Sequence, residues 1–182
     1  MKTIILILAI GLSIVSCNKE SNEPSDGYPK IYNLNFELFR ADGSPYEDGE
    51  VEMTNNTFIA NLADLTNGQY SFLGMGKIDT EETQGSGKTL YGWPCGVPNC
   101  ISDFRSIEFA SSREGVDVNG PVPFEKDKYW LLRYESEDVD TLRVHDVQTI
   151  NPYNRTFIFF VNEQQVEATN FIYEEYAITI QK

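Results

Sequence analysis

The stretch "YGWPCGVPNC" holds the side chains best placed by type and spacing for recognition or covalent chemistry: Tyr91, Trp93, Cys95 and Cys100. Four residues separate the two cysteines. Gly96, Pro98 and Asn99 suit a tight turn that lets their Cβ atoms meet, and nearby thiols outside the cytoplasm oxidise. A redox pair would favour Cys-x-x-Cys, and zinc would need two further ligands. The expectation is therefore a disulfide that staples a loop. Tyr91 and Trp93 sit beside it as candidate ligand contacts, because an aromatic held rigidly at a loop tip stacks on a sugar ring or anchors a protein partner. The competing reading is that Trp93 folds back over the core.

Three other segments suggest chemistry and fall short of it. "QGSGKT" (84–89) looks like the end of a phosphate-binding loop. Glu82 occupies the position where the first glycine is needed, and Gly92 and Pro94 bar the helix that should follow. "ESEDVD" (135–140) concentrates carboxylates, and Glu137, Asp138 and Asp140 make a weak calcium candidate. Calcium favours oxygen-rich turns, yet the glycine an EF-hand requires is missing. A solvated hairpin turn is the plainer reading. His145 is the only histidine. Any Ser–His–Asp or Cys–His arrangement would have to use it, and no Gly-x-Ser-x-Gly elbow is present. It reads as a strand-surface imidazole beside Asp146. With 28 acidic residues in the chain, pairs of carboxylates arise by number alone and do not identify a glycosidase. No cofactor motif is complete.

The amino terminus speaks about location. Lys2 precedes an apolar run from Ile4 to Val15. The run is too short to span a bilayer, which needs about 20 residues, and it reads as an export signal over residues 1–16. Ile14-Val15-Ser16-Cys17 resembles the lipobox of bacterial lipoproteins. The resemblance implies cleavage before Cys17, a diacylglyceryl group on its thiol, and membrane anchoring through that lipid. Asn18 at the next position, in place of Asp, implies the outer membrane. "NKESNE" resembles the export tags of surface lipoproteins in Bacteroidetes-type bacteria. Residues 17–28 then form the lipidated cysteine and a polar tether.

Without the signal about 165 residues remain, an ordinary domain length. The net charge of −14 repels phosphate backbones, so nucleic acid is not an expected partner. A hydrophobic share of 41% and an aromatic share of 13% are sufficient for a packed core.

The elements that must position these residues read as strands. In "IYNLNFELF", Tyr32, Leu34, Phe36 and Leu38 alternate with Asn33, Asn35 and Glu37, the pattern of a half-buried strand. "EVEMT", "QYSFLGM", "FRSIEFA", "KYWLLRYE", "DTLRVHDVQ", "RTFIFFVNE" and "YEEYAITIQ" follow, separated by turn signals. "TFIANL" reads as a strand, with a helix over "FIANLADLTNG" as its competitor. Trp130, inside an apolar strand, reads as core. The predicted class is all-β: an antiparallel sandwich of immunoglobulin or transthyretin type over residues 29–182, with one long loop from Gly74 to Cys100. A division into two subdomains near 111–127 is the alternative.

Asp42-Gly43-Ser44-Pro45, Gly49-Glu50-Val51, and Leu62, Leu65, Gly68, Tyr70 and Phe72 resemble the first half of transthyretin-like, or carboxypeptidase-regulatory-like, modules. The match spans about 45 residues of turn and core positions. It implies a scaffold, stalk or binding domain. The expected function is therefore a non-enzymatic envelope or surface lipoprotein that binds glycan or protein, with oligomeric state left open. The runners-up are a small glycan-processing enzyme using paired carboxylates and a structural accessory subunit of an envelope complex.

Overall fold

The computed structural model describes residues 29–54, 70–79, 87–96, 102–151, 153–172 and 174–182. The expected signal, the tether with Cys17, the segment with Leu62, Leu65 and Gly68, and Cys100 lie outside the described residues.

The described residues are all-β, with two main sheets packed face to face. The six-stranded sheet is built on the segments with the clearest alternation. Its order is β13 (Gln164–Val166), β12 (Tyr153–Val161), β11 (Val139–Ile150), β10 (Phe124–Tyr134), β2 (Val51–Thr54) and β3 (Phe72–Gly74). In the second half of β10, Lys128, Trp130, Leu132 and Tyr134 are buried while the residues between them are part-exposed. In β11, Asp140, Leu142, Val144, Asp146 and Gln148 follow the same period of two. One face therefore enters the core and the other meets solvent.

The seven-stranded sheet runs β14 (Ala168–Ile172), β15 (Glu175–Gln181), β1 (Ile31–Phe39), β5 (Tyr91–Pro94) and β4 (Gly76–Lys77). β7 (Ile107–Ser111) also pairs with β1, and β6 (Phe104–Arg105) with β5. A small hairpin of β8 (Val116–Asp117) and β9 (Gly120–Pro121) stands apart. Leu34, Phe36 and Leu38 from β1 meet Trp130, Leu132, Leu142 and Val144 from the other sheet in one core. Phe109 closes it, its ring 4.8 Å from Phe157 and 5.6 Å from Phe159 in edge-to-face contact.

Three features correct the sequence-based picture. The sandwich is not purely antiparallel: β1 and β15 pair in parallel over seven positions, from Asn33 opposite Glu175 to Phe39 opposite Gln181. The stretch from Gly74 to Cys100 is not one loop, since β4 and β5 lie within it and join the larger sheet. Nor do the sheets divide near 111–127. β2 and β3 pair into the sheet of β10–β13, while β14 and β15 join β1, so each sheet draws strands from both sides of that segment.

The Asp-Gly-Ser-Pro turn has a direct physical cause. The Asp42 carboxylate accepts the Ser44 N–H at 2.9 Å and the Ser44 hydroxyl at 2.7 Å. Gly43 takes φ = +82°, a conformation that costs a residue with Cβ. The turn returns the chain so that Pro45 bridges to Phe39.

Candidate functional site

Sequence reasoning places recognition on Tyr91 and Trp93, and the fold turns both away from solvent. Tyr91 is 1% exposed, and its hydroxyl donates to the Tyr46 carbonyl at 2.5 Å. Burial pushes its phenol up to about 12, with the carboxylates of Glu47 and Asp48 adding to the effect. Trp93 is half-buried and packs on the main core, and its indole Nε1–H has no hydrogen-bond partner. The reason is the strand period: β5 aims Tyr91 and Trp93 inward and leaves Gly92 on the opposite face. Tyr91 is therefore a core residue rather than a ligand contact, and Trp93 folds back over the core.

The opposite face of β5 carries the more open surface. A Cβ on Gly92 would fall 2.0 Å from the Arg105 carbonyl, and one on Gly76 would fall 2.2 Å from the Phe104 ring. These absent side chains let the segments around 77–79, 88–90 and 102–104 close over the sheet. Ile78, Leu90 and Ala177 form a second small core there, with Phe104 against it. Above lies a shallow groove of about 590 Å³, lined by Asp48, Lys77, Asp79, Lys88, Asp103 and Phe104 among others. Its lysines are anchored: Lys77 Nζ bonds Glu47 at 2.7 Å and Lys88 Nζ bonds Glu37 at 2.9 Å. The lysine of "QGSGKT" is thus held by a carboxylate of β1.

The cover also buries a residue expected on the solvent side. Asn35 is 1% exposed, and neither its amide nitrogen nor its amide oxygen has a hydrogen-bond partner. It sits opposite Ala177 on β15 and one position from the Phe36–Tyr91 pairing on β5. Buried polar groups are normally paired, so an orphaned amide beneath this surface is unusual.

Cys95 lies just past β5, and its N–H donates to the Asp103 carbonyl at 2.7 Å. Its sulfur is engaged rather than free. Its expected partner, Cys100, is outside the described residues.

The acidic turn takes a different role from the calcium reading. Glu137 stands at φ = +62° in a tight hairpin whose Tyr134 N–H donates to the Asp138 carbonyl at 3.0 Å. Asp140 leaves the turn altogether. It is 2% exposed and accepts Lys182 Nζ and Asn162 Nδ2, both at 2.6 Å. A lysine ammonium therefore occupies the position a cation would need. Among the described residues no group of three or more His, Cys, Asp and Glu is placed to hold a metal ion.

His145 is not beside Asp146 in space. Its Nδ1 lies 2.9 Å from Asp127 across the strand pair, on the outer face of the six-stranded sheet. Asp146, one residue on, points inward.

That inward side contains charges the sequence reading missed. Lys128 and Asp146 are both 0% exposed. Arg155 grips Asp146 through Nε at 2.9 Å and a terminal nitrogen at 2.6 Å. Lys128 Nζ bonds Glu114 at 2.6 Å and the Phe109 carbonyl at 2.8 Å, with Asp146 at 3.5 Å. The Arg155 guanidinium also donates to the Ser111 carbonyl at 2.8 Å. It lies 5.1 Å from the centre of the Tyr32 ring and 5.0 Å from that of Phe124. Partial burial pushes the Glu114 carboxyl up. The Lys128 bond and charge, the Ser111 N–H and Lys126 outweigh it and hold the group below its ordinary value. Charge and hydrogen-bonding capacity are satisfied internally, which describes a structural network.

No protein-family model, no curated protein and no solved structure matches this chain. Its function has to be argued from its own residues.

Proposed function

We propose that the protein is a membrane-anchored envelope or surface lipoprotein of the outer membrane, acting as a non-enzymatic binding or scaffold module. The observation that carries this reading is the tetrapeptide Ile14-Val15-Ser16-Cys17 at the end of a short apolar run, a dozen residues ahead of a β-sandwich. Acylation of Cys17 would moor the fold, since burying acyl chains contributes about 0.8 kcal/mol per CH₂ and two or three chains hold firmly.

Binding is favoured over catalysis by how the charged groups are used. Lys128, Asp146 and Arg155 neutralise one another inside the fold, Asp140 is tied to Lys182, and His145 is held by Asp127. The ligand surface is the groove over β5, where Asp79 and Asp103 are exposed beside the part-buried Phe104. Carboxylates that accept hydroxyls next to an aromatic edge suit a glycan or a polar peptide segment. A Cys95–Cys100 disulfide would brace the neighbouring chain.

Mass spectrometry of the protein purified from native membranes tests the anchor: a diacylated Cys17 as the first residue is expected, and an unmodified thiol there sinks it. Glycan-array and pull-down profiles of the detergent-solubilised protein test the groove. Asp103→Ala should lose a bound species that Trp93→Phe retains. Identical profiles for Asp103→Ala and the parent chain would remove the groove.

A further inference from the structure

The large hydrophobic side chains left exposed are unevenly placed. Among the described residues there are seven: Ile31, Leu73, Val116, Val118, Val139, Ile150 and Tyr153. Five of them gather at one end of the sandwich, and the strand pairing shows why. Ile31 opens β1 opposite Ser111, the last residue of β7. Just outside that pair the Lys30 N–H donates to the Ser112 hydroxyl at 2.8 Å, and the Ser112 N–H donates to the Lys30 carbonyl at 2.8 Å. The β8–β9 hairpin with Val116 and Val118 follows almost at once. The Gln148 side chain clamps the base of that hairpin, donating to the Gly115 and Val122 carbonyls, each at 2.8 Å. Ile150 and Tyr153 face each other two residues beyond Gln148's own pairing, at the β11–β12 turn. Leu73 and Val139 belong to the far half: Val139 follows the acidic turn, and Leu73 is linked through Met53 and Leu132 to Asp140 beside it.

The chain that precedes the fold enters at this same end. Pro29 is the twelfth residue after Cys17. Such a stretch reaches at most about 40 Å when fully extended, and about 20 Å on average when relaxed. An acylated Cys17 would hold this end nearer the lipid, on average, than the far end. Two lysines near this end are paired, and the exposed Asp117 keeps its charge while bonding the hairpin backbone. Asp117 accepts the Asn119 N–H at 2.6 Å, Lys30 pairs with Glu174 at 3.4 Å, and Lys126 pairs with Glu114 at 3.5 Å. Elsewhere the acidic surface of a chain with net charge −14 would be repelled by anionic headgroups.

We propose that this end is a membrane seat, with the β8–β9 tip dipping into the headgroup region and Ile31, Ile150 and Tyr153 resting around it. Val118 leads, being 99% exposed at the hairpin apex. A tyrosine with a wet hydroxyl and an apolar ring suits the same depth. Amphipathic seating of this kind adds to a lipid anchor and orients the module, leaving the acidic turn pointing away from the bilayer. The inference rests on the lipoprotein reading above.

The test uses the full lipidated protein reconstituted in phosphatidylcholine vesicles. An environment-sensitive fluorophore is attached at Val118→Cys in one sample and at Val139→Cys in another, with and without brominated acyl chains. Acylation of Cys17 is checked by mass in the same preparations. The expected result is a blue-shifted probe at 118 quenched at least twofold by bromine, with the probe at 139 unaffected. Equal responses at 118 and 139 with Cys17 acylated would overturn the seat and leave the lipoprotein reading intact. An unacylated Cys17 would overturn both. Concentration-dependent self-quenching at 118 in detergent, without a bromine effect in vesicles, would assign the patch to a second copy of the chain and overturn the seat. Val118 is almost wholly exposed, so loss of the fold would not explain a negative result.

Discussion

The two ends of the inner face of the six-stranded sheet solve the same problem in different ways. Each has charged residues in phase with the core. At the end where the chain enters, Lys128, Asp146, Arg155 and Glu114 form a closed network capped by backbone carbonyls, and hydrophobic side chains surround it outside. At the far end a single carboxylate, Asp140, holds Lys182 and Asn162, beneath an acidic turn open to water. Asp140 and burial together push the Tyr134 phenol up, with burial the larger cause. The first arrangement pins the segment from β7 to β9 over the sheet. The second ties down the C-terminus. One is a lock made of several partners, the other a latch with a half-exposed lysine.

Breaking the lock should have the largest effect. Asp146→Ala removes the carboxylate that Arg155 grips and leaves Glu114 alone to face two buried cations, and the expected loss is roughly 3–5 kcal/mol, read as a lower denaturant midpoint. Lys128→Met should cost clearly less, because Arg155 still neutralises Asp146. Additive losses in the Asp146→Ala, Lys128→Met double variant would show that the residues do not act as a network.

Breaking the latch should cost about 1–3 kcal/mol. Asp140→Ala leaves Lys182 able to turn to water, so the penalty stays below that of Asp146→Ala. Millimolar calcium should leave the melting temperature of the parent chain unchanged, since Lys182 already fills the position beside Asp140. A rise with calcium that Asp140→Ala abolishes would return the turn to metal binding.

Acid should reach the lock through Glu114. Its folded pKa lies below the ordinary value of 4.5. The group therefore contributes stability above that value, and the contribution fades as pH falls through the folded pKa. Glu114→Gln should flatten the acid limb of a stability–pH curve below about 4.5, with little change of slope at neutral pH. An unchanged acid limb would exclude Glu114 as a contributor.

The smallest effect on stability belongs to the outer rims. Val118→Asp and Val139→Asp should each alter stability by less than about 0.5 kcal/mol. Only the former should weaken contact with vesicles, measured as faster extraction of the lipidated protein by mild detergent.

Much of this fold is legible along the chain. Alternation in Tyr32–Leu38, Trp130–Tyr134 and Leu142–Val144 marks three strands and their buried faces, because a period of two is a local property. The same period also carries the buried charges. Lys128 is two residues before Trp130, and Asp146 is two after Val144, so both point into the core beside each other. Asn35 shows the reverse. Its alternation puts it on the expected wet face, and only the segments packing over Gly76 and Gly92 make that face dry. Tyr91 and Trp93 looked like loop aromatics because Gly and Pro around them disguise a strand. The β8–β9 hairpin and β13 are too short to carry a period at all.

Composition, the apolar run before Cys17 and the strand periods were determined by sequence alone, because each depends on residues close along the chain. The parallel pairing of β1 with β15, the closing of charges from β10, β11 and β12 into one network, and the gathering of five exposed hydrophobics at one end were decided by tertiary structure. Those features join residues far apart in the chain, as in the Thr179–Glu37 hydrogen bond across 142 positions. No local pattern specifies which distant strand will supply the partner. Core burial chooses the arrangement that hides the most apolar surface while leaving few buried charges unanswered.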